Sequence, residues 1–169
     1  LEEQALALNK DSPLKLGAIG TAIIEIRPYS LTGHYALQKF YQHLENQEGV
    51  NKHRQQLAYL YTRLSNSGKG SQTEPFRIST KNDATVFLLI KEMTIVGEIY
   101  QTTQANPLRL LTLARENAVA PLEDLAFDLS DLLEPLANLD PPQEAGSPWA
   151  VLRLFAEKED HAAQASIGT

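Results

Sequence analysis

Apolar positions recur along this chain with two periods, and each period predicts an element. From Ala18 to Arg27 they alternate, with Ala22, Ile24 and Ile26 on one side and Thr21, Ile23, Glu25 and Arg27 on the other. A period of two in a β-branched run predicts a strand, and Pro28, which has no ladder donor, stops it. Leu37, Phe40, Tyr41 and Leu44 then fall at helical spacing, predicting a helix over roughly 31–47, capped by Ser30 or Thr32 and ended by Glu48-Gly49. Asn51 stands at the next N-cap position, before a helix to about Leu64 whose inner face is Leu57, Leu60, Tyr61 and Leu64. Ser65 to Thr73 is a linker; it lacks the Gly-Lys-Ser/Thr ending and the preceding strand of a phosphate loop.

A second strand is predicted at Glu74–Thr80, where Phe76 and Ile78 alternate with Arg77 and Ser79. The apolar segment from Ala84 to Gln104 has the helical spacing Val86, Leu89, Ile90, Met93, Val96, Tyr100 and is expected to be a buried helix. Its β-propensity at Thr85–Ile90 and Thr94–Ile99, with Gly97 between, leaves a β-hairpin as the alternative. Asn106-Pro107 supplies an N-cap and an N1 proline for a helix to about Asn117. Pro121 opens a further helix, in which Leu122, Leu125, Leu129, Leu132, Leu136 and Leu139 form a seam among acidic residues, bent at Pro135.

The expected fold is therefore mainly α with two short β-strands, an α+β chain in which strand-helix-helix occurs twice, at 18–64 and 76–117. The expected organisation is a flexible lead-in over 1–12, one globular DNA-binding and dimerisation domain over 13–139, and a Pro-rich linker and tail over 140–169. A length of 169 residues fits a single domain. The acidic start Leu1-Glu2-Glu3, with no apolar run long enough to span a bilayer, leads to the expectation of a cytoplasmic protein.

Charge changes the picture more than composition does. The net charge is -6, yet Val50–Lys81 holds Lys52, Arg54, Arg63, Lys69, Arg77 and Lys81 against the single acid Glu74. Glu116–Asp160 is acidic throughout except for Arg153 and Lys158. A basic middle points to a polyanion partner or to mutual masking of the two halves, unless both are plain solvated faces.

Chemistry-bearing patterns are sparse. The chain has no cysteine, so disulfides, thiolate metal sites and cysteine nucleophiles are excluded. His34, His43, His53 and His161 have no metal-ligand spacing, and no Gly-x-Ser-x-Gly elbow occurs. No enzyme, metal site or cofactor is expected.

Binding remains. Arg77 and Ser79 project from the face of a strand whose other face is core, where Arg can pair with guanine and Ser is permissive. Lys52 and Arg54 sit in the first turn of their helix, a placement that suits an arriving phosphate. Lys81, Lys69 and Arg27 complete the candidate DNA-binding set. Glu25 and Ile23 suit DNA poorly, so the alternative is that the first strand is structural and the Arg77 strand pairs with its copy across a homodimer.

The opening Asp11-Ser12-Pro13-Leu14-Lys15-Leu16-Gly17-Ala18, the run from Thr21 to Arg27, and Glu74-Pro75-Phe76-Arg77-Ile78-Ser79 before a long apolar segment together resemble the AcaB-type transcriptional activators carried by conjugative plasmids and integrating conjugative elements. The resemblance covers roughly 13–139. It implies a homodimeric, ribbon-helix-helix-like regulator that reads promoter DNA through a β-ribbon in the major groove and switches on transfer genes. The partners it implies are double-stranded DNA and transcription machinery or a co-regulator, with no membrane. The alternative function is a protein-interaction adaptor of a conjugation or mobile-element system, acting through the acidic leucine-rich helix 122–139.

Overall fold

The computed structural model describes residues 1–8, 12–102 and 108–129. These residues form a mixed α/β structure of five helices and one four-stranded sheet. The helices are α1 (Glu2–Leu8), α2 (Pro13–Ile26), α3 (Leu31–His43), α4 (Gln47–Ser65) and α5 (Lys81–Ile90). The strands are β1 (Phe76–Arg77), β2 (Thr94–Gln101), β3 (Arg109–Arg115) and β4 (Glu123–Asp128). They lie in the order β1-β4-β3-β2, with β1 parallel to β4 and the other neighbours antiparallel.

The first predicted strand is a helix. The run from Ala18 to Ile26 belongs to α2, because its buried positions, Leu16, Gly17, Gly20 and Ile23, make one helical stripe. The glycines let α2 lie close against α3: a Cβ on Gly20 would stand 2.8 Å from Leu37 Cγ and 3.2 Å from the Gly33 carbonyl. Contact with α3 thus outweighs the β-preference of the isoleucines. α1 closes over this side with Ala5 buried, so the expected lead-in contains an ordered helix.

α3 is as expected, but it ends at His43, and Glu45 turns the chain in the left-handed region (φ 54°). Asn46 N–H donates to the Tyr41 carbonyl (3.0 Å), the wrap-around bond of a Schellman end. α4 therefore starts at Gln47 and is capped by Asn46, whose side chain accepts from Gly49 N–H (3.0 Å). Asn51 is an interior residue of that helix.

The long apolar segment divides. α5 is capped by Thr80 and ends at Ile90, where Glu92 (φ 60°) and a bond from Met93 N–H to the Leu88 carbonyl (2.9 Å) close the last turn. From Thr94 the chain runs as the strand β2, so the segment is neither one long helix nor a hairpin within itself. The helix expected after Asn106-Pro107 is β3 from Arg109 onward, and the helix expected after Pro121 is β4 over Glu123–Asp128. The doubled strand-helix-helix layout is consequently absent. The rest of the leucine seam, from residue 130 onward, and the Pro-rich linker and tail at 140–169 lie outside the described residues.

One sheet face is core. Phe76, Leu110, Ala114, Leu125 and Phe127 point inward to Phe87 of α5 and to Leu57, Leu60 and Leu64 of α4. Phe76, Phe87 and Phe127 meet with ring centroids 5.1–6.1 Å apart. The alternation in β3, with Leu110, Thr112 and Ala114 buried, places Leu111 and Leu113 on the opposite face. Among the described residues no helix is long and apolar enough to cross a membrane.

Candidate nucleic-acid interface

The seven residues singled out from the sequence do not converge; three are engaged in ion pairs. Arg27 follows α2 and bridges Glu2 Oε1 and Asp83 Oδ2, each at 2.5 Å. Asp83 is 4% exposed and also accepts from Ser30 Oγ, Thr32 N–H and Thr32 Oγ, at 3.1–3.2 Å. Its carboxylate thereby joins the start of α5 to the start of α3. Arg27 balances these two acids. Lys81 pairs with Glu98 of β2 (2.7 Å), which raises its pKa. Lys69 pairs with Glu74 within the loop before β1 (2.7 Å) and stays exposed.

Arg77 and Ser79 sit where alternation placed them: exposed, with Phe76 and Ile78 buried between. The strand bearing them, however, is two residues long and pairs with β4. On its other side Ser67 Oγ, from the loop after α4, accepts from Arg77 N–H (2.8 Å), and Gly70 O of the same loop accepts from Ala126 N–H of β4 (2.8 Å). Gly68 lies against Pro75, where a Cβ would stand 2.1 Å from the carbonyl oxygen. Among the described residues no two-stranded ribbon carries Arg77.

Lys52 and Arg54 both lie on α4, both exposed, in its second turn rather than its first. Asn51, expected as the N-cap, is an interior residue, so the N–H groups around it are inside the helix and not at its open start. Two residues apart on a helix, Lys52 and Arg54 stand about 200° apart around its axis, Lys52 within the exposed arc and Arg54 at one rim of it. Every exposed position of α4 beyond Glu48 is uncharged or cationic: Asn51, Lys52, Arg54, Gln55, Gln56, Ala58, Tyr59, Thr62 and Arg63. Arg63 lies over the ring of Tyr29, 5.9 Å from its centroid. Lys52 and Arg63 are eleven residues apart, about 16 Å along a helix axis. Arg77 stands just past the far end of α4, its backbone held by Ser67.

The buried side of α4 holds this face in place. His53 turns inward and meets His34 of α3, Nδ1 to Nδ1, at 3.0 Å. His34 Nε2 lies 2.9 Å from the Pro28 carbonyl and must donate to it, which leaves its Nδ1 bare to accept from His53. Both rings are neutral in this arrangement. Burial, then the neighbouring His34, then Lys52 push His53 down to about 4; burial foremost also lowers His34. Tyr41 stacks on His53 with centroids 5.5 Å apart, and Gly49 admits that ring, since a Cβ there would stand 2.4 Å from Tyr41 Cγ.

Arg63, Gln55, Gln56 and Tyr59 stand outside the set expected from the sequence, which took only the cations of this helix's expected first turn. The signal for them was present: removing the core positions Leu57, Leu60 and Leu64 leaves residues 52, 55, 56, 59 and 63 on one face, with Glu48 at its start as the single acid. No family model, no curated protein and no solved structure matches this chain.

Proposed function

We propose that this chain binds double-stranded DNA as a regulator of conjugative transfer genes, with α4 as the element that meets the duplex. The observation that supports this reading is the exposed face of α4. In a chain of net charge -6, it carries Lys52 and Arg63 in line among Gln55, Gln56 and Tyr59, with Arg54 at its rim and Glu48 at its start as the sole acid. A major groove about 12 Å wide admits one α-helix, and Gln and Asn pair with adenine while Arg pairs with guanine. The three residues Leu44–Asn46 that join α3 to α4 suit a helix-turn-helix layout, with α3 buttressing the reading helix through the His34–His53 contact. Arg77 and Ser79, beyond the end of α4, suit contacts to flanking phosphate or sugar. The regulatory role in conjugation rests on the resemblance of the Pro13–Gly17 opening and the Phe76–Ser79 strand to AcaB-type activators.

The test is duplex binding by the full chain as a function of salt. Each phosphate neutralised adds about 0.9 to the slope of log affinity against log salt. The Lys52→Ala/Arg63→Ala pair should flatten that slope by about 2 while leaving the fold intact. Salt-independent binding, or an unchanged slope in the double variant, would remove α4 from the interface.

A further inference from the structure

We infer that β2 is the interface through which this chain pairs with a second copy of itself, extending the four-stranded sheet into a continuous eight-stranded one. The inference is independent of the DNA reading. In the order β1-β4-β3-β2, the β1 side is closed by the loop containing Ser67 and Gly70. No described strand pairs with the outer side of β2. An open edge presents a row of backbone donors and acceptors that is complementary to itself when run antiparallel. Monomeric proteins blunt such edges with charge, and this one is nearly neutral: Glu98 is its single ionisable carboxylate, already paired with Lys81 at 2.7 Å. Its large apolar side chains are unusually bare, with Val96 51%, Ile99 64% and Tyr100 57% exposed.

The register is set by charge and pleat. A two-fold axis normal to the sheet pairs residues of the same face, so the axis passes through a residue pair. Centred on Glu98, it would set two carboxylates against each other, which is destabilising. Centred on Ile99, it places Ile99 against Ile99 of the copy, continuing the outer apolar row that runs through its cross-strand partner Leu111. The same register sets Glu98 opposite Tyr100 of the copy. Glu98 Oε1 is buried and lacks a hydrogen-bond partner in the single chain, and a tyrosine hydroxyl is a donor suited to it. The irregularity between Ile95 and Gly97 lies at the start of β2, leaving Gly97–Gln101 regular for pairing.

The absence of cysteine makes the test clean. Single-cysteine full-length chains, Ile99→Cys on β2 and Thr62→Cys on the outer face of α4, are oxidised at equal micromolar concentration. The native chain and an Ile99→Lys variant are followed by sedimentation velocity, with circular dichroism to show that the variant keeps its helices. The expected result is a native dimer, a covalent dimer formed at least tenfold faster through residue 99 than through residue 62, and a folded Ile99→Lys monomer. A native chain that is monomeric throughout the micromolar range overturns the proposal. So does a dimer that cross-links no faster through residue 99. If Ile99→Lys does not fold, the cross-linking comparison alone decides.

Discussion

Acidification tests the His34–His53 contact, and the burial of the pair sets the sign of the effect. His53 is 4% exposed and its pKa is pushed down to about 4, against 6.5 for an unperturbed histidine. Between those values the unfolded chain takes up a proton that the folded chain refuses. The stabilisation is thus complete above pH 6.5 and is lost as pH falls toward the folded value. Between pH 7.5 and 4.5 the linkage amounts to about 2.5 kcal/mol, at 1.36 kcal/mol per unit of pKa difference. Carboxylates titrate over part of the same range, so the measurement needs a reference. His53→Gln supplies one: its amide can still donate to His34 Nδ1 but carries no charge at any pH. Urea unfolding of both proteins at the two pH values should show the native chain losing about 2.5 kcal/mol more than the variant. Equal losses would refute the buried, neutral histidine pair, and with it the tautomer assignment that joins α3 to α4.

Particular contacts set four further outcomes. Asp83→Ala strands Arg27 and the hydroxyls of Ser30 and Thr32, and should cost about 3–5 kcal/mol in denaturant unfolding. Gly49→Ala would drive a methyl into the Tyr41 ring, so a loss of about 1–3 kcal/mol is expected by thermal melting. Glu92→Gly, at the left-handed residue that ends α5, should raise stability by about 0.5–1 kcal/mol, read as a higher urea midpoint at constant slope. Arg77→Ala should weaken DNA binding nearly equally on all sequences if Arg77 meets phosphate; loss of preference at one base pair would instead make it a base reader.

Much of the local pattern was legible without coordinates. The Leu57, Leu60, Leu64 stripe of α4 and the Phe76/Ile78 against Arg77/Ser79 alternation are dictated by side-chain period, and both hold in the folded chain. The basic middle segment was likewise visible, since charge is a property of the residues alone. Three things were decided only by tertiary contact. Ala18–Ile26 is helical because Gly17 and Gly20 give α3 a close seat, and that packing exceeds the weak intrinsic preference of isoleucine for strands. The apolar segment after Thr80 divides at Glu92 because a Schellman end satisfies the last carbonyls of α5 and frees β2 to pair with β3, where its backbone bonds are met by a neighbour absent from the local sequence. Finally, whether a cation is available to a partner depends on which acids the fold brings beside it. Arg27 meets Glu2 and Asp83, Lys81 meets Glu98, and Lys52 meets none among the described residues. Charges and periods are properties of the residues in order; pairing across long stretches of chain decided which charges remain to act.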